Sequence, residues 1–204
     1  MSGGARRRRP LGRSFYARET EVVARELLGT ILVSSLAEHR VEGRIVETEA
    51  YVGPHDPASH AAERIGRTAR NEPMFGAAGT AYVYRIYGVH WCLNAVTREK
   101  GYPAAVLIRA IEPLYGTEVM RERRWPGREH GPDRLIANGP GKLADALAIT
   151  GALNTHDLRL PPLQILDGDP VADSEVEASG RIGITRAVDW PLRFTVRDSR
   201  FLSR

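Results

Sequence analysis

The sequence predicts an α+β fold, a single domain on a largely antiparallel β-sheet, and three observations carry that prediction. Runs with strand character follow one another directly through residues 80–111, so neighbours can pair as hairpins without crossover helices. Helical periodicity is confined to short stretches set between such runs. A length of 204 residues without internal repeats is enough to bury one core and does not require a second.

The elements can be taken in chain order. Residues 1–13 are rich in Gly, Arg and Pro and are expected to form a disordered basic tail, leaving residues 14–204 as the folded domain. Val22, Val23, Leu27 and Leu28 recur at helical spacing over residues 19–28, and Gly29 suits the position after a helix end. Residues 30–36 and 41–51 read as strands joined by a polar turn at Glu38 and His39. Residues 80–87, 90–97 and 104–111 read as three more, with Tyr87-Gly88 at a hairpin tip. The polar stretch between Tyr51 and Thr80 is too long for a simple connection, which marks it as a functional loop. Helices are expected over 116–125 and 142–149, and short strands over 163–166, 181–184 and 193–196.

Composition narrows the function. The net charge is +4, but Arg6, Arg7, Arg8, Arg9 and Arg13 stand in a stretch without acids, so the rest of the chain is slightly acidic. The tail either adds sequence-independent phosphate attraction or is a passive solvated arm. No apolar run reaches the roughly 20 residues of a spanning helix, and the residues after the arginine run carry charges where a signal peptide needs apolar ones. Cys92 is the only cysteine, which excludes an internal disulfide and fits a reducing compartment, the cytoplasm. Lys100 and Lys142 are the only lysines, which limits amine chemistry.

Several residues could carry chemistry. Regular alternation puts Ile45, Glu47, Glu49 and Tyr51 on one strand face, and carboxylates beside apolar groups need a partner or a task. They are either a solvated strand edge or a general base with its neighbour. Arg109 interrupts the apolar run 104–111 and must find anions, in a structural or a catalytic pair. Tyr82 and Tyr84 share a face, suited to core packing or to stacking on nucleobases, and Tyr87 at the tip suits a wedge. Gly139-Pro140-Gly141-Lys142 is either a plain helix start or a phosphate contact. His55, Asp56 and His60 are metal-ligand types, but their spacing matches no zinc signature.

Taken together the chain resembles the alkyladenine (3-methyladenine) DNA glycosylases that lack a helix-hairpin-helix motif. The matching stretches are Val46-Glu47-Thr48-Glu49-Ala50-Tyr51, Asp56-Pro57-Ala58-Ser59-His60-Ala61 and Met74-Phe75-Gly76, with residues 66–71, 82–88, 106–113, 139–143, 181–184 and 191–194. The resemblance implies a curved antiparallel sheet of the formyltransferase C-terminal-domain-like kind. It implies a monofunctional enzyme acting as a monomer on duplex DNA, without cofactor or metal, that flips out alkylated or otherwise damaged purines and hydrolyses their glycosidic bond. By the same resemblance Glu49 is the general base and Arg109 its catalytic partner. Tyr51, His60, Tyr84 and Asn94 form the base pocket, and Ile182 acts there through its backbone. Tyr87 fills the gap in the duplex, and Thr68 and Lys142 contact phosphates. Arg85, Trp91 and the polar segment 126–132 depart from the family pattern. Two other readings compete: a non-catalytic nucleic-acid binding module, and a metal-dependent hydrolase on His55, Asp56 and His60.

Overall fold

The sheet is assembled on one long strand, β2 (Val41–Tyr51), which borders β5 (Ala105–Tyr115) along one edge. Its other edge is shared by β1 (Ile31–Ser34) at residues 41–44 and β8 (Arg193–Val196) at residues 47–49. The structure, a computed structural model, describes residues 8–203. Within them β3 (Ala81–Ile86), β4 (His90–Val96), β5, β2, β1 and β6 (Leu163–Leu166) lie in that order, and β7 (Val176–Ser179) pairs with β8. Every pairing is antiparallel, and the sheet curls, as the sequence predicts.

The two faces of the sheet do different work. Helices α1 (Arg13–Tyr16), α2 (Thr20–Glu26), α3 (Thr117–Arg124) and α4 (Pro140–Ala146) cover one face. There Tyr16, Val23, Met120 and Leu143 join Leu32, Ile45, Leu93, Ile108 and Ile111 in the main core. The opposite face carries three smaller clusters, one of them Ile31, Val33 and Leu166. Ala61, Met74, Tyr82, Val96 and Ala105 pack beneath the long loop after β2, and Val46, Ala110 and Phe201 lie beneath the closing segment of the chain. Strand alternation explains the division: Val83 and Leu93 point to the helices, Tyr82, Tyr84, Cys92 and Asn94 away from them.

Besides a register shift near the end of the pair, between Glu42 and Gly43, alternation between β2 and β5 fails in the middle, and that failure shapes the site. Ile45 is opposite Ile111 and Glu47 opposite Ala110, so Val46 is an extra residue on β2; Thr48 is opposite Ile108, so Arg109 is an extra residue on β5. The two bulges are adjacent and restore each other's register. Each leaves two successive side chains on the face away from the helices: Val46 with Glu47, and Arg109 with Ala110. Ile45 therefore lies in the main core, whereas simple alternation puts it on the face of Glu47, Glu49 and Tyr51.

Two more expectations need correction. Residues 181–184 form no strand, because the Arg181 side chain and the Ile182 N–H are bonded outside any ladder and Gly183 has φ +76°; the strand lies earlier, at β7. Of the expected disordered tail, residues 1–7 lie outside the described residues, but the chain is packed from Arg9 onward. Arg9 and Asp167 exchange hydrogen bonds and Leu11 N–H donates to the Ile165 carbonyl along the outer edge of β6. Pro10, which has no N–H to pair, suits such an edge.

Phe201 is 7% exposed and anchors the closing segment against Val46 and Ala110. Phe201→Ala is expected to cost about 3 kcal/mol, the low end for burying so large a truncation, because a small cluster can partly collapse. Thermal unfolding should show a fall of roughly 6–12 °C; an unchanged midpoint would mean that the segment is held by its polar contacts alone.

Candidate active site

The paired bulges bring three buried charges together on the face opposite the helices. Arg109 Nε donates to Glu47 Oε1 at 2.9 Å, and Arg109 Nη1 lies 3.2 Å from Glu49 Oε1. Both carboxylates are fully buried and Arg109 is nearly so. Ionised groups so far from water persist only when their hydrogen-bonding capacity is filled. For Glu47 it is filled on both oxygens. Oε1 also accepts from Arg193 Nε at 2.8 Å and from Ser203 Oγ at 2.6 Å, and Oε2 accepts from the Ser203 N–H at 2.6 Å. Burial pushes the Glu47 carboxyl up, but the Ser203 hydroxyl and N–H and the Arg193 and Arg109 guanidiniums outweigh it and hold the group below its ordinary value. Glu47 is therefore an ionised anchor for Arg109.

Glu49 is held differently. Besides Arg109, its Oε1 accepts from the Ile182 N–H at 2.7 Å, and its Oε2 accepts from the Tyr51 hydroxyl at 3.0 Å. Tyr51, Arg109 and Ile182 all line a cavity of about 270 Å³, so the groups that hold Glu49 are also the wall in front of it.

The cavity is an aromatic slot. Tyr51, His60, Tyr84, Cys92, Asn94, Leu107 and Arg109 line it, and residues 182–186 close one side. The His60 ring meets Tyr84 edge-on at 4.6 Å between centroids, and Tyr82 lies behind, 5.2 Å from Tyr84. His60 Nδ1 and the Tyr82 hydroxyl share a hydrogen bond of 2.9 Å. Burial, helped by the charge of Arg70, lowers the His60 pKa to about 4, so the ring is neutral at physiological pH. Burial likewise pushes the Tyr84 hydroxyl up, and it pushes up that of Tyr51, where Glu49 adds to the effect. Asn94 is fixed by donating Nδ2 to the Tyr82 carbonyl at 3.0 Å.

The structure thus brings Glu49, Tyr51, His60, Tyr84, Asn94 and Arg109 into one site, with Tyr87 at its mouth. Tyr87 and Gly88 both have positive φ at the tip of the β3–β4 hairpin, and Tyr87 is 82% exposed. Thr68 and Lys142 stand outside the cavity. Thr68 is exposed and exchanges hydrogen bonds with Asn71, while Lys142 Nζ donates to Asn138 Oδ1 at 2.8 Å. Arg85 lies over the Trp91 ring, its partner across the hairpin.

Three contributors were not evident from sequence reasoning. Ser203 and Arg193 belong to separate segments that reach Glu47 only through folding. Asp56, read as one of three metal-ligand types, spends its carboxylate on a bidentate pair with Arg181 at 2.5 and 2.9 Å, both side chains fully buried. His55, Asp56 and His60 do not form a ligand set, and among the described residues no group of three His, Cys, Asp or Glu could hold a metal ion.

Comparison with known proteins gives one answer. The family model described as methylpurine-DNA glycosylase matches residues 14–200. A protein of Myxococcus xanthus is 48% identical over 95% of this chain and 93% of its own length, and one of Methanocella arvoryzae is 51% identical over 90% and 88%. One from Desulfitobacterium hafniense is 44% identical over 95% and 98%. All three carry the name "Putative 3-methyladenine DNA glycosylase".

The low pKa of His60 has a consequence for stability. Between pH 6.5 and about 4 the unfolded chain binds a proton at this histidine that the folded protein refuses, so stability falls as pH falls through that window. The urea midpoint of the wild type should drop more steeply there than that of His60→Gln; parallel curves would show that His60 titrates normally.

Proposed function

The chain belongs to the methylpurine-DNA glycosylase family, and from that premise we propose that it takes a damaged purine nucleotide out of the DNA duplex into the aromatic slot and releases the base by hydrolysis with Glu49 as general base. Membership makes it a DNA-repair hydrolase acting on N-glycosyl bonds. The observation that carries the mechanism is a fully buried carboxylate held by three donors, each of which lines the cavity. Glu49 accepts a proton from water as the water attacks the sugar C1′, and the base leaves with the glycosidic electron pair. Arg109, fixed by Glu47, holds the carboxylate in place.

The slot supplies the selection. Tyr51 and Tyr84 offer ring faces on which a flat base stacks, an interaction worth about 1–3 kcal/mol per base, and electron-poor rings benefit most. The substrates proposed are 3-methyladenine and 7-methylguanine, with hypoxanthine and ethenoadenine as neutral candidates. Flipping costs least for a weakly paired, damaged nucleotide. Asn94, rigidly held, sits where it can crowd an exocyclic group. Among the described residues no lysine lines the cavity, which favours release by hydrolysis without a Schiff base. Tyr87 fills the gap left in the duplex, and Thr68 and Lys142 bind phosphates beside the hairpin. The protein acts as a monomer and needs neither metal nor cofactor.

Glu49→Gln preserves shape but removes the base. Single-turnover release of 7-methylguanine should fall by about 10²–10⁴-fold while affinity for lesion DNA stays within a few-fold. Retained turnover would assign the base elsewhere. Tyr87→Ser should slow excision from a stably paired duplex more than from a mismatched one, because less unpairing remains to be offset in the mismatch. With Tyr87 so exposed the melting temperature should barely move. Equal losses on both duplexes would place Tyr87 in the chemical step.

A further inference from the structure

Arg181 lies behind the slot. Its guanidinium stacks over the Tyr51 ring at 4.7 Å, and it is fully buried and absent from the cavity wall that Tyr51 helps to form. One face of Tyr51 is therefore covered by a cation, which leaves the other for a bound base. A positive charge there opposes a positively charged base. With about 3.5 Å of stacking distance added beyond the ring, the two charges would stand roughly 8 Å apart across a medium of low polarity, close enough to matter.

Asp56 removes that opposition. Its two oxygens take both terminal nitrogens of Arg181, and its place is set by the N–H groups of Val52 and Ala58, which donate to Oδ2 and Oδ1. The same matching holds at two other places in the slot. Arg109 is matched by Glu47 and Glu49, and His60 is neutral because of its burial. We propose that Asp56 is a specificity-determining residue, the counter-charge that lets Tyr51 accept cationic purines such as 7-methylguanine as readily as neutral ones. This inference rests on the base-excision reading above and concerns only which bases the slot admits. Asp56 and Arg181 touch no reacting atom; they set this selectivity through Tyr51.

Charge, not shape, is the variable to test. Asp56→Asn keeps the shape and unmasks Arg181; Arg181→Gln removes the cation and leaves the carboxylate. Two readouts are taken at saturating enzyme: the single-turnover release of 7-methylguanine, a cation, and the fluorescence change of ethenoadenine, neutral, as it leaves the duplex stack for the slot. In Asp56→Asn, release of 7-methylguanine should fall about tenfold while the ethenoadenine flipping equilibrium moves less than threefold. Arg181→Gln should shift the ratio the other way, and the double variant, a neutral pair, should return it to near the wild-type value. A disturbance passed through Ile182 to Glu49 would lower 7-methylguanine release in both single variants, so their opposite movement is what carries the inference. Parallel changes in both readouts of either single variant, or a fall of the ratio in both, would overturn the inference and leave the pair a structural clamp. A wild-type protein that releases no 7-methylguanine would instead overturn the glycosylase mechanism itself.

Discussion

The constraint on which the rest of the site depends is the burial of Glu47, Glu49 and Arg109 within one sheet. Three ionised side chains out of water are tolerable only if each finds its partners, and the protein meets that requirement with backbone geometry as much as with side chains. Paired bulges at Val46 and Arg109 turn a core-directed strand pair into one that presents two carboxylates and a guanidinium on the same face. The two carboxylates then diverge in role. Glu47 is saturated by Ser203, Arg193 and Arg109, leaving it nothing to do but hold Arg109, whereas the donors of Glu49 all border the cavity.

The same economy explains why distant segments converge here. The closing segment packs through Phe201 and delivers Ser203 to Glu47; residues 181–186 are tied down by Arg181 on Asp56 and on the Ala50 carbonyl, which brings the Ile182 N–H to Glu49. The polar contacts satisfy buried groups, and those of residues 181–186 also hold one wall of the slot. Stability and site geometry are thus the same set of bonds. A change at Phe201 or Arg181 can be felt at Glu49 without touching the base.

Much of this was legible in the sequence. Period-two alternation puts Tyr82 and Tyr84 on one face, and the Tyr87-Gly88 pair marks the hairpin tip that exposes Tyr87. A lone arginine in the run 104–111 demands an anion, and it has two. The bulges are not legible, because an extra residue leaves no mark in a hydrophobic pattern; that is why simple alternation puts Ile45 on the wrong face. Nor could Ser203, Arg193 or the Asp56–Arg181 pair be read, since their partners lie 94 to 156 residues away and only folding brings them together. Asp56 beside two histidines looked like metal chemistry because residue type is visible in a sequence and hydrogen-bond saturation is not.

We infer that Glu47 and Arg109 act as one unit whose only catalytic effect is to hold Glu49. A double-mutant cycle on single-turnover base release, with Glu47→Gln and Arg109→Lys, addresses it directly. Strong non-additivity is expected: the double variant should be little slower than the slower single variant, because either change already frees Glu49. Losses that multiply in the double variant would show two independent contributions and rule out a single unit.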